Sequence, residues 1–327
     1  MPKTWHLAIM LIFPVFIPQK GCSFQCVYCD QKQFISVEEV DFTVLEKQIR
    51  QFCSKNINTH KQIAFYGGTF TGLTLSQREK YYNLVRPFID NKTSIRISTR
   101  PDAVGYEDLN WCKNHHIKTI ELGIQDFSDV VLKASRRGYD SKTAIEACFR
   151  IKQEGFELGV QLMPGLPGSS PSSHRESSGT LQGVLPDFVR LYPLIILRGT
   201  PLWTEWEKGY IEPLTLEEAI NICVEYYDIA ERNNIAVIKT GIPSLGKNSE
   251  YVGPYHPAFG ELVKGERLIR KIEAEYKSGD TIHIGKNEIS LLTGHQEYNL
   301  RKLMKRLDLN YIKLVAGAVK IERLLNK

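Results

Sequence analysis

The chain has 327 residues, of which 42% are hydrophobic and 24% charged, with a formal net charge of +5. That composition fits a soluble globular protein with one large core and a small appendage. It excludes a disordered polyelectrolyte, and no apolar run reaches the length of a membrane span. The positive surplus is local: residues 301–327 carry eight Lys or Arg against two acidic residues. This points to an acidic partner for the tail, RNA first, although a solvated basic helix face has the same composition.

The apolar stretch Leu7–Ile17 reads as a first, buried strand rather than a targeting segment. Pro14 and Pro18 interrupt it, and Gln19-Lys20 is the wrong chemistry before a cleavage site at Gly21. A cysteine-rich loop follows, then a helical pattern over Val37–Cys53. Strand and helix signals then alternate: strand Gln62–Tyr66, helix Ser76–Ile89 with Ser76 as its cap, strand Ser94–Thr99, helix Tyr106–His115 and strand Ile117–Ile124. Helices over Ser128–Ser135 and Ser141–Gln153 lead to strand Glu157–Met163. The run Ser169–Ser178 reads as a polar loop before a helix ending near Gly183. Strand Phe188–Leu197, helix Leu216–Arg232 and a short strand Ala236–Lys239 complete the pattern.

Six βα units with right-handed crossovers predict an α/β fold, a partial (β/α)6 barrel over residues 1–240. Residues 241–260, rich in Gly, Pro, Ser and Tyr, read as a functional loop or linker. Residues 261–327 predict a small basic α/β extension. Its elements are a helix, a strand at Thr281–Ile284, a second strand or turn, a helix at Tyr298–Leu307, a strand at Tyr311–Val315 and a last helix.

Chemistry concentrates in the loop Cys22-Ser-Phe-Gln-Cys26-Val-Tyr-Cys29, a C-x3-C-x2-C spacing. One short loop can fold three thiolates around a single [4Fe-4S] cube, which leaves one iron without a protein ligand. A structural zinc site wants four ligands, and His6 is the only nearby candidate for a fourth. A disulfide framework wants an even count in a small secreted chain, whereas this one has seven cysteines in 327 residues. Cys53, Cys112, Cys148 and Cys223 fall in apolar helical patterns and read as packing residues. Thiols kept for a cluster place the protein in the cytoplasm.

The cysteine spacing resembles that of the radical S-adenosylmethionine (SAM) superfamily. Four further blocks narrow the resemblance: Phe65-Tyr66-Gly67-Gly68-Thr69-Phe70-Thr71-Gly72-Leu73, Ser98-Thr99-Arg100-Pro101-Asp102, Glu121-Leu122-Gly123-Ile124-Gln125 and Met163-Pro164-Gly165-Leu166-Pro167-Gly168. They resemble the radical SAM core of the Elongator catalytic subunit and, more distantly, oxygen-independent coproporphyrinogen III oxidase. The resemblance covers roughly residues 8–210 and does not extend to an acetyltransferase domain. It implies two cofactors, a [4Fe-4S] cluster and SAM. Cys22, Cys26 and Cys29 would hold the cluster. Gly67, Gly68 and Thr69 would contact the methionine amino end. Ser98 or Thr99, with Gln125, would bond the ribose or nearby groups, and Gln161 stands where the coproporphyrinogen enzyme has a ribose-binding acid. Arg137 would grip the SAM carboxylate, a task suited to a guanidinium fork.

The activity implied is reductive cleavage of SAM to a 5′-deoxyadenosyl radical, fed by an external electron donor such as flavodoxin or ferredoxin. The substrate would be RNA, through the basic C-terminal segment and Lys302, Lys305 and Arg306. The alternatives are a small-molecule metabolite and a non-catalytic iron–sulfur or SAM-binding regulator. In the loop Gly253–Gly260, His256 stands as a proton donor or a packing residue. Leu292–Lys302 resembles the Gly-x-x loop that opens a basic helix in KH RNA-binding domains, without its second glycine.

Overall fold

The structure is a computed structural model that describes residues 10–17, 21–29, 41–246, 249–277, 281–309, 311–316 and 319–324. Positions 7–9 of the expected first strand and 37–40 of the expected first helix lie outside the described residues.

Seven parallel strands form one curled half-barrel sheet: β1 (Leu11–Phe16), β2 (Lys61–Tyr66), β3 (Thr93–Thr99), β4 (Ile117–Gln125), β5 (Glu157–Leu162), β6 (Phe188–Leu191) and, after a two-residue strand β7 (Ile196–Leu197), β8 (Ala236–Thr240). They are hydrogen-bonded in the order β1-β2-β3-β4-β5-β6-β8. Strand order thus follows chain order, as successive same-handed crossovers require. The connecting helices are α1 (Phe42–Lys55), α2 (Leu75–Val85), α3 (Tyr106–Asn114), α4 (Asp129–Ala134), α5 (Ser141–Gln153), α6 (Pro171–Val184), α7 (Pro201–Glu207) and α8 (Leu216–Arg232).

The strand period of two separates two kinds of chemistry. Ile63, Phe65, Ile95, Ile97, Ile120 and Leu122 alternate onto the convex face and are fully buried in the main core under the helices. Their neighbours Gln62, Arg96, Ser98, Glu121, Gln161 and Arg190 share the concave face. The register holds them at matching levels, with Ser98 beside Glu121 and Gln161 beside Arg190. Gly159 stays side-chain-free because the Phe188 ring occupies that space: a Cβ there would lie 2.3 Å from it. The same ring lies against the Arg96 guanidinium, 4.7 Å from its centroid.

Beyond β8, a short strand β9 (Tyr251–Val252) pairs with β7, and helix α9 (Phe259–Glu275) links two cores. Phe259 and Val263 pack in the main core. Ile269 and Ile272 pack in a second one with Ile282, Leu292, Leu300 and Leu303. The extension continues with β10 (Ile282–Ile284), α10 (Ile289–Thr293), α11 (Tyr298–Arg306), β11 (Tyr311–Ala316) and β12 (Val319–Leu324). It forms a three-stranded sheet in which β10 and β11 are parallel and β11 and β12 antiparallel. Buried Glu266 of α9 fastens it, accepting ion pairs from Arg270 (3.2 Å), Lys302 (3.0 Å) and Arg306 (2.9 Å).

Several expectations are corrected. The last element is strand β12, not a helix: residues 319–324 pair antiparallel with β11. The second strand or turn of the extension is helix α10. Helix α2 is capped by Thr74, not Ser76, because Thr74 and Gln77 form a reciprocal capping box. The serine-rich run is the body of α6, started by Ser170 as cap and Pro171 in the first turn. Strand Phe188–Leu197 breaks into β6 and β7 around Pro193, which has no N–H to give to a ladder. Cys112, Cys148 and Cys223 are buried packing residues, as expected, and Cys53 is partly buried.

Candidate active site

At the C-terminal ends of the strands a cavity of about 750 Å³ gathers Cys22, Cys26, Cys29, Gly67, Gly68, Thr69, Ser98, Thr99, Gln125, Arg137 and Gln161. Every residue expected to hold the cluster or SAM therefore lines one space. Each strand contributes at its end because parallel strands present their C-terminal loops together.

The cysteine loop is anchored by packing. Val27, between the second and third cysteines, is buried with Val131, Leu166, Leu194, Ile196 and Leu202. Its N–H donates to the Ser135 carbonyl and its carbonyl accepts from the Leu202 N–H. The block Met163–Gly168 thus works as a buttress: Leu166 supports Val27 from below. At the loop's start the Gly21 and Gly72 backbones touch. A Cβ on Gly21 would lie 2.2 Å from the Thr69 carbonyl oxygen, and one on Gly72 2.2 Å from that of Gly21. Only glycines permit this approach. It brings the cysteine loop against the Gly67-Gly68-Thr69 turn, where Gly67 is left-handed at φ +95°.

Cys22 Sγ and Thr69 Oγ1 share a hydrogen bond at 3.1 Å. Cys26 Sγ accepts from Arg137 Nη1 at 3.2 Å and from Arg100 Nη1 at 3.8 Å. Arg137 is fully buried and also donates to Tyr28 OH (3.0 Å), to Tyr139 OH (2.8 Å) and to the Gly123 carbonyl. Burial opposes its charge, but the phenols of Tyr139 and Tyr28 and the Cys26 thiol outweigh that, so its pKa stands well above the ordinary arginine value. Burial pushes Tyr28 well above the ordinary phenol range, with Arg137 acting in the opposite sense. Arg100, which sequence reasoning left without a role, forms a fork with Asp102 at 2.9 Å on both arms. Its signal was the Arg-x-Asp spacing inside a block already singled out.

Among the described residues no group of three or more His, Cys, Asp or Glu converges as a cage for one metal ion. A cubane presents its irons at separate corners, so its thiolates stand wider apart than the ligands of a single ion. Three thiols on one cavity wall, one of them facing two arginines, suit that donor set.

Three buried polar atoms among the described residues of the cavity wall have no hydrogen-bond partner in the protein: Ser98 Oγ, Gln125 Oε1 and Arg190 Nε. Gln125 is held at φ +74°, where β4 shifts register against β5. A left-handed glutamine at a strand end is the kind of strain kept at ligand sites. Thr99 Oγ1 is bonded to Thr71 Oγ1, and Gln161 Nε2 donates to Glu121 Oε2 at 2.8 Å. His256 does not line the cavity; its Nδ1 accepts the Ala258 N–H at 3.0 Å within its own turn.

Comparison with known proteins agrees with this geometry. The radical SAM superfamily matches residues 16–177, and the radical SAM C-terminal domain matches residues 186–269. The chain belongs to the radical SAM superfamily and is a radical SAM enzyme. It is 33% identical to a tRNA uridine(34) acetyltransferase of Methanocaldococcus infernus over 129 residues, 38% of this chain and 24% of that protein. It is 29% identical to a heme chaperone, HemW, of Buchnera aphidicola over 225 residues, 66% of this chain and 55% of that protein. The chain thus spans between a quarter and about half of these relatives. Its fold is shared with the archaeal Methanocaldococcus infernus Elp3, at a TM-score of 0.62 and 19% identity over 80% of this chain and 63% of the other. No helix among the described residues is long and apolar enough to cross a membrane.

Proposed function

We propose that the chain reductively cleaves SAM at a [4Fe-4S] cluster and uses the resulting radical to modify RNA. One observation carries the cleavage reading. Three thiols, three arginines and the unpartnered Ser98 Oγ, Gln125 Oε1 and Arg190 Nε line a single cavity. When bound, a cluster held by Cys22, Cys26 and Cys29 supplies the electron that splits SAM to a 5′-deoxyadenosyl radical.

The chain's own residues do the rest. Arg137 and Arg100 hydrogen-bond the Cys26 sulfur and hold it at the cavity wall. The backbone of Gly67 and Gly68 and the Thr69 hydroxyl receive the methionine end. Ser98 and Gln125 bond the ribose side, and the curled sheet excludes water. Arg137 spends its N–H groups on Cys26, Tyr28, Gly123 and Tyr139. If a cluster took the Cys26 sulfur, the Arg137 Nη1 donor now spent on it would be released for a SAM carboxylate. Electrons come from an external donor such as flavodoxin or ferredoxin.

The RNA reading is supported by the tRNA-acting relative and by the basic C-terminal segment. Lys302 and Arg306 are tied to Glu266 and Arg301 lies 3.9 Å from Glu297, which leaves the exposed Lys305 as the forward cation of α11. A small-molecule, tetrapyrrole-like substrate is the second reading, favoured by the longer match to the heme chaperone.

Anaerobically reconstituted protein should bind about four irons per chain and release 5′-deoxyadenosine with dithionite and SAM. A Cys26→Ala protein that still does both would sink the cleavage reading. Absence of 5′-deoxyadenosine from a fully loaded wild type would favour a SAM-binding regulator. A gel shift with transfer RNA at two salt concentrations tests the substrate, because phosphate contacts weaken steeply with salt.

A further inference from the structure

Among the described residues the cavity wall contains three arginines, Arg100, Arg137 and Arg190, and no carboxylate. Arg100 is neutralised by Asp102, and Arg137 faces the Cys26 thiol. Arg190 lies on the opposite flank, on β6, five strands away from β1 and its cysteine loop in the sheet order.

Its surroundings are built rather than incidental. Nη1 donates to Tyr192 OH at 3.0 Å and Nη2 to Tyr66 OH at 2.9 Å. Nε stands 3.3 Å from Glu121 Oε2 but out of line for a hydrogen bond, and is a buried donor without an acceptor. Glu121 is wholly buried and is already committed. It accepts from Arg96 Nη1 at 2.7 Å, Gln161 Nε2 at 2.8 Å and Tyr66 OH at 3.2 Å. Two guanidiniums share this one carboxylate. Glu157, the next acid on this face, is held by Thr119 at the strands' N-terminal end, away from the cavity. The register sets exposed Lys239 of β8 beside Arg190 and so adds positive charge on the same flank. A surplus buried cation with unspent donors is costly unless an anion meets it.

We propose that Arg190, with Tyr192, is an oxyanion subsite that receives a phosphate or carboxylate group of the substrate. The inference rests on the SAM-cleaving reading for what occupies the β2–β5 side of the cavity. SAM is assigned to the ends of β2 through β5 and to the cysteine loop, and its one carboxylate has Arg137. The guanidinium on β6 is left for the second reactant. The substrate class is therefore an anionic one, a nucleotide unit or an organic acid, with its reacting carbon held between this subsite and the cysteine loop.

The test is thermal unfolding of the reconstituted, SAM-loaded protein titrated with sodium phosphate, sodium acetate or sodium chloride at constant ionic strength. Anion binding to the native state raises Tm with concentration and yields an apparent Kd. Phosphate or acetate should stabilise beyond chloride. Preference for phosphate assigns a nucleotide source, and preference for acetate an organic acid. Arg190→Gln should weaken the apparent affinity roughly tenfold or more, the weight of a charged hydrogen bond. Arg190→Lys, which keeps the charge without the fork, should fall between. The proposal is overturned if neither oxyanion exceeds chloride or if Arg190→Gln responds like wild type. It also falls if Arg190→Gln weakens SAM binding by the same factor, because Arg190 would then serve SAM. A wild type that fails to bind SAM counts against the cleavage reading alone, since the anion titration can be repeated without SAM.

Discussion

The two faces of the half-barrel sheet are made by the same strands and do opposite work. On the convex face, alternate positions are Ile, Leu, Val and Phe, fully buried under the helices. On the concave face the intervening positions are Gln62, Arg96, Ser98, Glu121, Gln161 and Arg190. All but Ser98 are joined into a network that runs from Gln62 through Arg96 to Glu121, Gln161 and Arg190. Parallel sheets are ordinarily covered and apolar on both faces. A polar inner face gives up hydrophobic stabilisation and requires each buried charge to be paired. The contrast separates what folds the chain from what it binds. Substitutions on the convex face should act on stability, and those on the concave face on ligands, with Glu121 as the position that does both.

Glu121 offers the largest break in that contrast. Removing it leaves Arg96 and Arg190 without a carboxylate in the sheet interior. Glu121→Ala should cost about 3–5 kcal/mol, the range for breaking a buried ion pair, read by urea unfolding. Glu121→Gln keeps most of the hydrogen bonds and should cost less. Its convex neighbour supplies the comparison: Leu122→Ala should cost about 2–5 kcal/mol through the cavity it leaves. Added phosphate should not rescue it. If Glu121→Ala proves nearly neutral, the concave network is not the organising element of this face.

The extension provides a smaller effect with a pH signature. Burial works against the Glu266 charge, but hydrogen bonds from Lys302 and Arg306 outweigh it, and its pKa lies below the ordinary glutamate value. The folded form then binds the proton more weakly than the unfolded chain. The stabilisation is fully present above the ordinary glutamate pKa and is lost as pH falls through the lowered one. Hydrogen exchange of α11 should accelerate over that acid window in wild type. Glu266→Gln should show faster exchange already at neutral pH, at a cost of about 1–3 kcal/mol. Exchange in α11 that is the same in both proteins would mean that apolar packing alone holds the extension.

The positions of the site residues were legible because their signals are local. Cysteine spacing, paired glycines and strand-end blocks announce themselves within a few residues, and parallel topology brings strand ends together whatever lies between. The concave network was not legible in the same way. Arg190 is the one polar residue of Phe188–Leu191 and Glu121 one of several in Ile117–Gln125, so neither announces a partner. Their partnership depends on register across β4, β5 and β6. The Gly21–Gly72 contact joins positions 51 residues apart and carries no local mark beyond the glycines themselves. Propensity misled at α6, where a serine-rich run is helical because Ser170 caps it. Ser177 is buried there as well, its hydroxyl donating to Asp126. The tail misled in another way. Its cations suggested a free basic face, yet Lys302 and Arg306 are used to hold the extension onto α9.

Ser98 gives the smallest effect and the sharpest test of the contrast, because its sign should reverse with ligand. Its hydroxyl is buried on the concave face without a partner, whereas the Thr99 hydroxyl next to it is bonded to Thr71. A buried hydroxyl that makes no hydrogen bond carries a desolvation cost and returns nothing to the ligand-free fold. Ser98→Ala should therefore leave the protein without SAM as stable as wild type or up to about 1 kcal/mol more stable. With SAM bound the order should invert, because the wild-type hydroxyl then has a partner and the variant has none. Thr99→Ala should destabilise both states, since it breaks a bond within the protein. Urea unfolding with and without SAM reads all three proteins. A Ser98→Ala protein that is less stable than wild type in both states would make Ser98 a structural residue and move the SAM contact to Gln125.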